Sequence, residues 1–266
     1  MAKAYFIGLG GCGLKTVSEL YKKLHPQDPT GEDYLFTYID TDEKTLDAVN
    51  HDSIVIRRSD FINLGNTNPQ QIYQRAANSD DEVSTRLKEW AIEQGVPGHL
   101  TFPNQVLADG AQAVRMFGRF GIVKEQQAIV TALKQKLTPF QNMRDDEGKV
   151  VDPDIWVFAS SCGGTGSSLT LDILYIINRI VLNELNLHDP QMKLVLFMPQ
   201  PFIALNPGNT QYYLNAYAYM WELNAFRLAY QNGQKDIFGE FSAIPHRIGW
   251  SDDPFQMFKY IIPVDV

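Results

Sequence analysis

The chain has 266 residues, 44% hydrophobic and 20% charged, enough apolar material for a packed domain and too much for a disordered one. A net charge of −8 argues against a general binder of nucleic acid or anionic membrane, while leaving room for a local phosphate pocket. No apolar run has the length of a membrane span. The start, Met1-Ala2-Lys3-Ala4-Tyr5, enters a strand pattern directly and leaves no room for a signal peptide.

Ala4-Tyr5-Phe6-Ile7 reads as a short buried strand running into Gly8-Leu9-Gly10-Gly11-Cys12-Gly13. Val17, Leu20, Tyr21 and Leu24 then fall on one face of a helix. Tyr34 to Ile39 is a second strand, closed by Asp40-Thr41-Asp42. Gly8, Gly10 and Gly13 fit the G-x-G-x-x-G dinucleotide fingerprint, in which an acid after the second strand takes a ribose hydroxyl, here Asp40. A dinucleotide-binding oxidoreductase and an adenylation enzyme are both compatible with this unit. So is a glycine-rich turn that serves only helix–sheet packing.

Residues 43–49 predict a short helix, and Ile54-Val55-Ile56 a third strand. From about 58 to 108 the chain is polar and irregular, helical in composition from Gln70 to Gln94 but broken by Pro97, Gly98 and Pro103. This stretch reads as an insertion or surface excursion. Asp109 to Ala113 brings small residues to the start of a helix through Ile122, Ile129, Leu133 and Leu137, a possible further phosphate-facing loop. Arg115 and Arg119 are either phosphate partners or solvated helix residues, and surface arginine is the commoner case.

Ile155-Trp156-Val157-Phe158-Ala159 is the next buried strand, followed by Ser160-Ser161-Cys162-Gly163-Gly164-Thr165-Gly166-Ser167-Ser168 and a helix through Leu169, Ile173, Ile177 and Ile180. A strand, small residues and a helix start suit a phosphate: glycines admit close backbone approach, and unpartnered N–H groups face the anion. Thr165, Ser167 and Ser168 offer hydroxyls, either to a ligand or as caps for the helix. Leu194 to Met198 is another strand, ending in Pro199-Gln200-Pro201-Phe202 and a loop with Asn206-Pro207-Gly208-Asn209. A long helix follows whose stripe of Tyr213, Tyr217, Trp221 and Leu228 reads as a core face. A polar stretch from 231 to 254 leads to a last strand at Tyr260-Ile261-Ile262-Pro263-Val264.

The alternation of strands and helices predicts an α/β fold, a Rossmann-like three-layer sandwich around a mainly parallel sheet. Ligands of such sheets sit beyond the carboxyl ends of the strands, and five of the loops above fall there. The two cysteines, Cys12 and Cys162, make no disulfide framework, which points to a reducing, cytoplasmic setting. No Cys/His cluster has zinc-ligand spacing.

Taken together, Gly8-Leu9-Gly10-Gly11-Cys12-Gly13 and Cys162-Gly163-Gly164-Thr165-Gly166-Ser167-Ser168 resemble the tubulin/FtsZ family of GTPases. The second segment is similar to its G-G-G-T-G-[ST]-G signature, with Ser168 in place of the last glycine. Asp40-Thr41-Asp42 stands where FtsZ has Asn-Thr-Asp, Gly110 to Ala113 with Gly118-Arg119 where its third nucleotide loop lies, and Pro201-Phe202 where its fifth loop opens. Ile262-Pro263-Val264-Asp265 resembles the start of the central helix, with Val264 replacing the guanine-reading Asn. The likeness is nearest to the divergent bacterial tubulin-like proteins.

The resemblance implies a single nucleotide-binding domain over 1–266, with insertions at about 58–108 and 231–254 and without the C-terminal activation domain. It implies GTP or GDP held by Gly10, Gly11, Cys12 and Gly13, with Lys15 either reaching a phosphate or pointing to solvent, and by Asp40, Asp42, Gln112 and Ala113. Gly163, Gly164, Thr165, Gly166 and Ser167 would grip the phosphates, Asn206 the sugar, and Asp265 would stand by the base site. Mg²⁺ would bridge phosphate oxygens through water near Asp42. The water-activating acid of that family comes from a neighbouring subunit, so the implied function is nucleotide-dependent assembly, with copies of itself or with other tubulin-like subunits, and weak hydrolysis by the chain alone.

Overall fold

A computed structural model describes residues 4–45, 57–81, 83–85, 87–88, 106–107, 109–145, 147–180, 184–187, 191–232 and 260–265. Six strands form one sheet: β1 (Ala4–Leu9), β2 (Tyr34–Asp40), β3 (Phe61–Asn63), β4 (Asp154–Ser160), β5 (Gln191–Phe197) and β6 (Tyr260–Val264). Their order is β3-β2-β1-β4-β5-β6, and every neighbouring pair is parallel. The chain therefore builds outward from β1 to one side, returns, and builds outward from β4 to the other. Such a reversal opens a crevice at the carboxyl ends of the two central strands. The glycine turn follows β1 and the small-residue loop follows β4, so neighbouring strands deliver both to that crevice.

Helices cover both faces, as expected of a buried parallel sheet. Alternation along β1 sends Tyr5, Ile7 and Leu9 to one side, where they join Phe120, Ile129 and Leu133 of α3 (Arg115–Leu137) and Leu169, Ile173 and Ile177 of α4 (Gly164–Arg179). The other side is smaller and more aromatic. There Leu14 and Val17 of α1 (Gly10–Leu24) pack on Phe36, Tyr38 and Phe158, with Leu20, Tyr21 and Leu24 at the margin. The three-layer sandwich and the helical face of α1 agree with the sequence pattern.

Three expectations change. The stretch from 58 onward is no surface excursion where it is described: β3 extends the sheet, and Leu64, Ala76 of α2 (Pro69–Ala77) and Leu87 join the main core. The predicted strand at 54–56, most of the helix at 43–49, the breaks at 97–103 and nearly all of 231–254 lie outside the described residues.

The aromatic stripe of the long helix, α6 (Gln211–Gln231), is not its core face. Tyr213, Tyr217, Trp221 and Leu228 are 55%, 75%, 56% and 42% exposed, while Ala216, Tyr219, Leu223 and Phe226 are buried. The helix is apolar nearly all round, so two stripes compete. The buried one carries Asn215 and Glu222, whose partners lie far off in sequence.

The third change concerns Arg115 and Arg119, which are not solvated. They are 2% and 6% exposed, and both bond Glu222.

Candidate nucleotide site

The β1–α1 turn is a tight packing device. A Cβ on Gly13 would overlap the carbonyl oxygen of Phe158 on the adjacent strand, and one on Gly8 would lie 2.6 Å from the Gly13 oxygen. Without side chains there, α1 can start flush against the sheet. Gly10 has φ +69°, a left-handed value that suits glycine, and its Cβ position is 2.8 Å from the Gly166 nitrogen. Gly166 in turn presents its Cβ position 2.8 Å from the Leu9 carbonyl oxygen. The two glycine turns interlock backbone to backbone, and only glycine fits on either side of the contact.

A short short-side-chain loop at 109–114 forms the third wall. Gly110, Gln112 and Ala113 all have left-handed backbones, with φ of 80°, 48° and 62°. For Gln112 and Ala113 this is a strained conformation of the kind held at ligand sites by surrounding structure. An isolated bridge pairs Asp42 with Asp109 and ties this loop to the end of β2.

These walls enclose a cavity of about 480 Å³. Of the sixteen residues the sequence nominates, Gly10, Gly11, Cys12, Asp40, Asp42, Gln112, Ala113, Gly163, Gly164, Thr165 and Gly166 line it. Gly13 lies beneath it in the sheet packing. Lys15 is exposed on α1, and Asn206 and Asp265 are exposed at the ends of α5 (Gln200–Leu205) and β6; none of these three is in the lining. Ser167 is outside it too, because its hydroxyl donates to the Gly163 carbonyl. The Ser168 hydroxyl likewise donates to the Thr165 carbonyl at 2.9 Å. Ser168 fits beside α3 because residue 118 is glycine: a Cβ there would overlap the Ser168 oxygen.

The lining also includes residues that pattern reading did not nominate, among them Thr45, Asp109, Phe202, Asn209 and Tyr212. The rings of Phe202 and Tyr212 meet edge to face, with centroids 6.3 Å apart. Phe202 has a sequence signal in the Pro201-Phe202 pair at a strand end, whereas Tyr212 has only its place after that loop.

The electrostatics of the cavity are unusual. Among the described residues no lysine or arginine lines it, but three aspartates do. The groups it offers an anion are backbone amides and neutral side-chain donors such as Gln112, Asn209 and Tyr212. No side chain caps the start of α1, α3 or α4, and none of the three has an acid in its first turn. Their leading N–H groups are left without side-chain partners, and α1 and α4 begin within the lining. Buried Thr41 and Thr165 share a hydroxyl hydrogen bond of 2.6 Å that locks the β2 end to the central loop.

Asp40 is 2% exposed, accepts from the Thr41 amide at 2.7 Å, and leaves Oδ2 without a hydrogen-bond partner. Burial pushes its carboxyl up to about 7, against the opposing pull of the Thr41 and Asp42 amides. Asp42 is better served, accepting from the Lys44 amide at 2.9 Å and the Thr45 hydroxyl at 3.1 Å. Burial pushes the Cys12 thiol up to about 12, so it carries no thiolate at neutral pH. Among the described residues no group of three or more Asp, Glu, His or Cys side chains is arranged to hold a metal ion by itself, and no helix is long and apolar enough to cross a membrane.

Residues 5–262 match a protein-family model described as "Tubulin like". No curated protein matches the chain. Among solved structures, CetZ from Methanosaeta thermophila strain DSM 6194 is 16% identical over 85% of this chain and 43% of its own, with a TM-score of 0.48. CetZ1 from Haloferax volcanii, a GDP-bound monomer, is 14% identical over 83% and 47%, also at 0.48. A GTPγS-form protofilament of TubZ from Bacillus thuringiensis serovar israelensis is 12% identical over 86% and 43%, at 0.43. The chain spans less than half the length of each of these structures.

Proposed function

The chain belongs to the tubulin-like family, and from that premise we propose that it binds GTP and GDP with Mg²⁺ in the cavity between the β1–α1 turn, the loop at 109–114 and the loop after β4. The observation that carries this reading is the interlock of Gly10 with Gly166, which aims two uncapped helix starts into one space. A polyphosphate needs several amides from more than one side, and this arrangement provides them.

A divalent ion fits the same site. Polyphosphate brings negative charge to a lining that already holds Asp40, Asp42 and Asp109, of which Asp109 pairs with Lys44 at the margin, and among the described residues no cationic side chain lines the cavity itself. Mg²⁺ bound with the nucleotide would supply that missing positive charge. Asp42 would hold it through water, and the buried, unpartnered Oδ2 of Asp40, a lining residue, is a second acceptor close by. The chain's own part is to bind and orient the phosphates with backbone amides and to keep Thr41 and Thr165 locked behind them. In this reading Phe202 and Tyr212 offer an apolar rim to the sugar or base.

Nucleotide-dependent self-assembly in the cytoplasm, with slow hydrolysis by the isolated chain, completes the proposal. Thermal-shift measurement of the chain with Mg²⁺ and GTP, GDP, ATP or NAD in turn tests it. GTP and GDP should raise the melting temperature most, and chelating Mg²⁺ should reduce the GTP shift. A larger shift with NAD, or none with any nucleotide, would overturn the reading. The ATP arm reads base preference.

A further inference from the structure

Glycine sets how closely the loops can approach: the Cβ position of Gly164, in the loop after β4, lies 2.8 Å from the Ala111 Cβ and 3.0 Å from the Ala113 nitrogen of the loop at 109–114. Close approach limits the separation from below, and what holds the two loops together against opening is a separate matter. The link comes from α6. Asn215 is 3% exposed and donates through Nδ2 to two backbone carbonyls, Ala113 at 2.7 Å and Cys162 at 2.9 Å. Its Oδ1 accepts from Gln211 Nε2 at 2.9 Å, which fixes which way the amide faces. Each acceptor belongs to a cavity-lining residue, and Ala113 is one of the two strained left-handed residues.

A second tie lies two helical turns along the same face. Glu222 accepts from Arg115 at 3.0 and 2.5 Å and from Arg119 at 2.9 Å. Arg115 also donates to the Ser167 carbonyl at 3.1 Å. The start of α3 and the start of α4 are thus both bound to α6, once through an amide and once through a buried ion cluster.

We propose that Asn215 is a positioning residue for nucleotide binding: its amide clamps the loop at 109–114 to the loop after β4 and sets the width of the phosphate site between them. This rests on the nucleotide reading above. The side chain has two N–H donors on one nitrogen and uses both on the two loops. No other residue type of that size offers two donors and one acceptor from a neutral group. Losing the clamp removes two hydrogen bonds that preorganise the site and leaves two buried carbonyls unpaired.

The test is isothermal titration of the 266-residue chain with GTP and Mg²⁺. Asn215→Ala should weaken affinity on the order of tenfold or more, the loss expected from two neutral hydrogen bonds. Asn215→Asp adds a readout that a merely structural role would not move. As a carboxylate it has no donor and faces two carbonyls, while as a neutral acid it regains one donor. Its affinity should therefore recover as pH falls from 8 to 5.5, relative to wild type, whereas that of Asn215→Ala should keep a constant ratio. Phe226→Leu, elsewhere on the buried face of α6, should bind as wild type does.

Should both Asn215 variants fail to fold, Gln211→Ala decides the matter from the exposed end of the same chain of bonds. It frees the amide to turn and should weaken GTP binding by about two- to fivefold. Wild-type affinity in the Asn215 variants, or in Gln211→Ala when those do not fold, overturns the clamp and leaves the nucleotide reading standing. A wild-type chain that binds no GTP overturns both.

Discussion

The turn after β1 and the loop after β4 each carry a strand into a helix through glycines, yet different things hold them in place. The first is shaped by close backbone approach: Gly8 and Gly13 press on each other and on the Phe158 carbonyl of the adjacent strand, and Gly10 on the backbone of Gly166. The second is keyed from a distance. Thr165 bonds Thr41, 124 residues away, Cys162 bonds Asn215, 53 residues away, and Ser167 bonds Arg115, 52 residues away. Two anion-facing turns of similar composition can thus be set by opposite means, one by the absence of side chains and one by the presence of remote ones.

The comparison predicts where each turn is fragile. The largest effect belongs to the remote support. Glu222→Leu leaves Arg115 and Arg119 buried without a counter-charge and should cost about 3–5 kcal/mol in urea unfolding. A loss under about 1 kcal/mol would mean that the second loop stands without α6. The same group carries a pH signature. Burial alone would raise the Glu222 carboxyl, but Arg119 and Arg115 more than offset this and hold it below the usual carboxylate range. Its contribution to stability is therefore complete above its unfolded pKa of about 4.3 and is lost as pH falls through the lower folded value. Acid should erode wild-type stability more steeply than that of Glu222→Leu.

Next comes Gly13→Ala, whose methyl group would meet the Phe158 carbonyl. We expect a loss of about 3 kcal/mol. Hydrogen exchange should show the loosening in α1 and β4 with the α6 ties to α3 unchanged; exchange rising equally throughout would blur the distinction between the turns. Thr165→Val is smaller. It removes the bond to Thr41 and should cost about 1 kcal/mol, with a matching drop in GTP affinity by titration. Smallest, and opposite in sign, is Asp40→Asn. Neutralising a buried carboxylate with an unpartnered oxygen should leave the nucleotide-free protein as stable or up to about 1 kcal/mol more so, while weakening the Mg²⁺ dependence of GTP binding. A clear destabilisation of the nucleotide-free form would show that Asp40 already has its partner within the chain.

The division between the turns is also the division between what the sequence discloses and what it hides. Strand runs such as Ile155 to Ala159 and the fingerprint at Gly8 to Gly13 announce themselves because the forces that shape them act locally. The walls at 109–113 and 160–166 were legible as loops at strand ends, and a parallel sheet gathers such loops at one edge. Arg115 and Arg119 were not legible, since surface arginine is the default and Glu222 stands 107 and 103 residues away. The face of α6 is illegible for a related reason: periodicity cannot choose between two apolar stripes when the deciding residues are polar. Ser167 suggests a ligand through its hydroxyl, which the Gly163 carbonyl takes instead.

The contact between Gly118 and Ser168 has a consequence for how this domain can change. A methyl group at position 118 would overlap the Ser168 hydroxyl and turn it away from its bond to the Thr165 carbonyl. Gly118→Ala alone should therefore destabilise the start of α4. Made after Ser168→Gly, it loses that obstacle, and the next neighbour is the Gly164 carbonyl oxygen, at 3.1 Å. The two sites form an epistatic pair in which the order of substitution matters, and the last position of the signature loop can drift more freely than the helix residue packed on it.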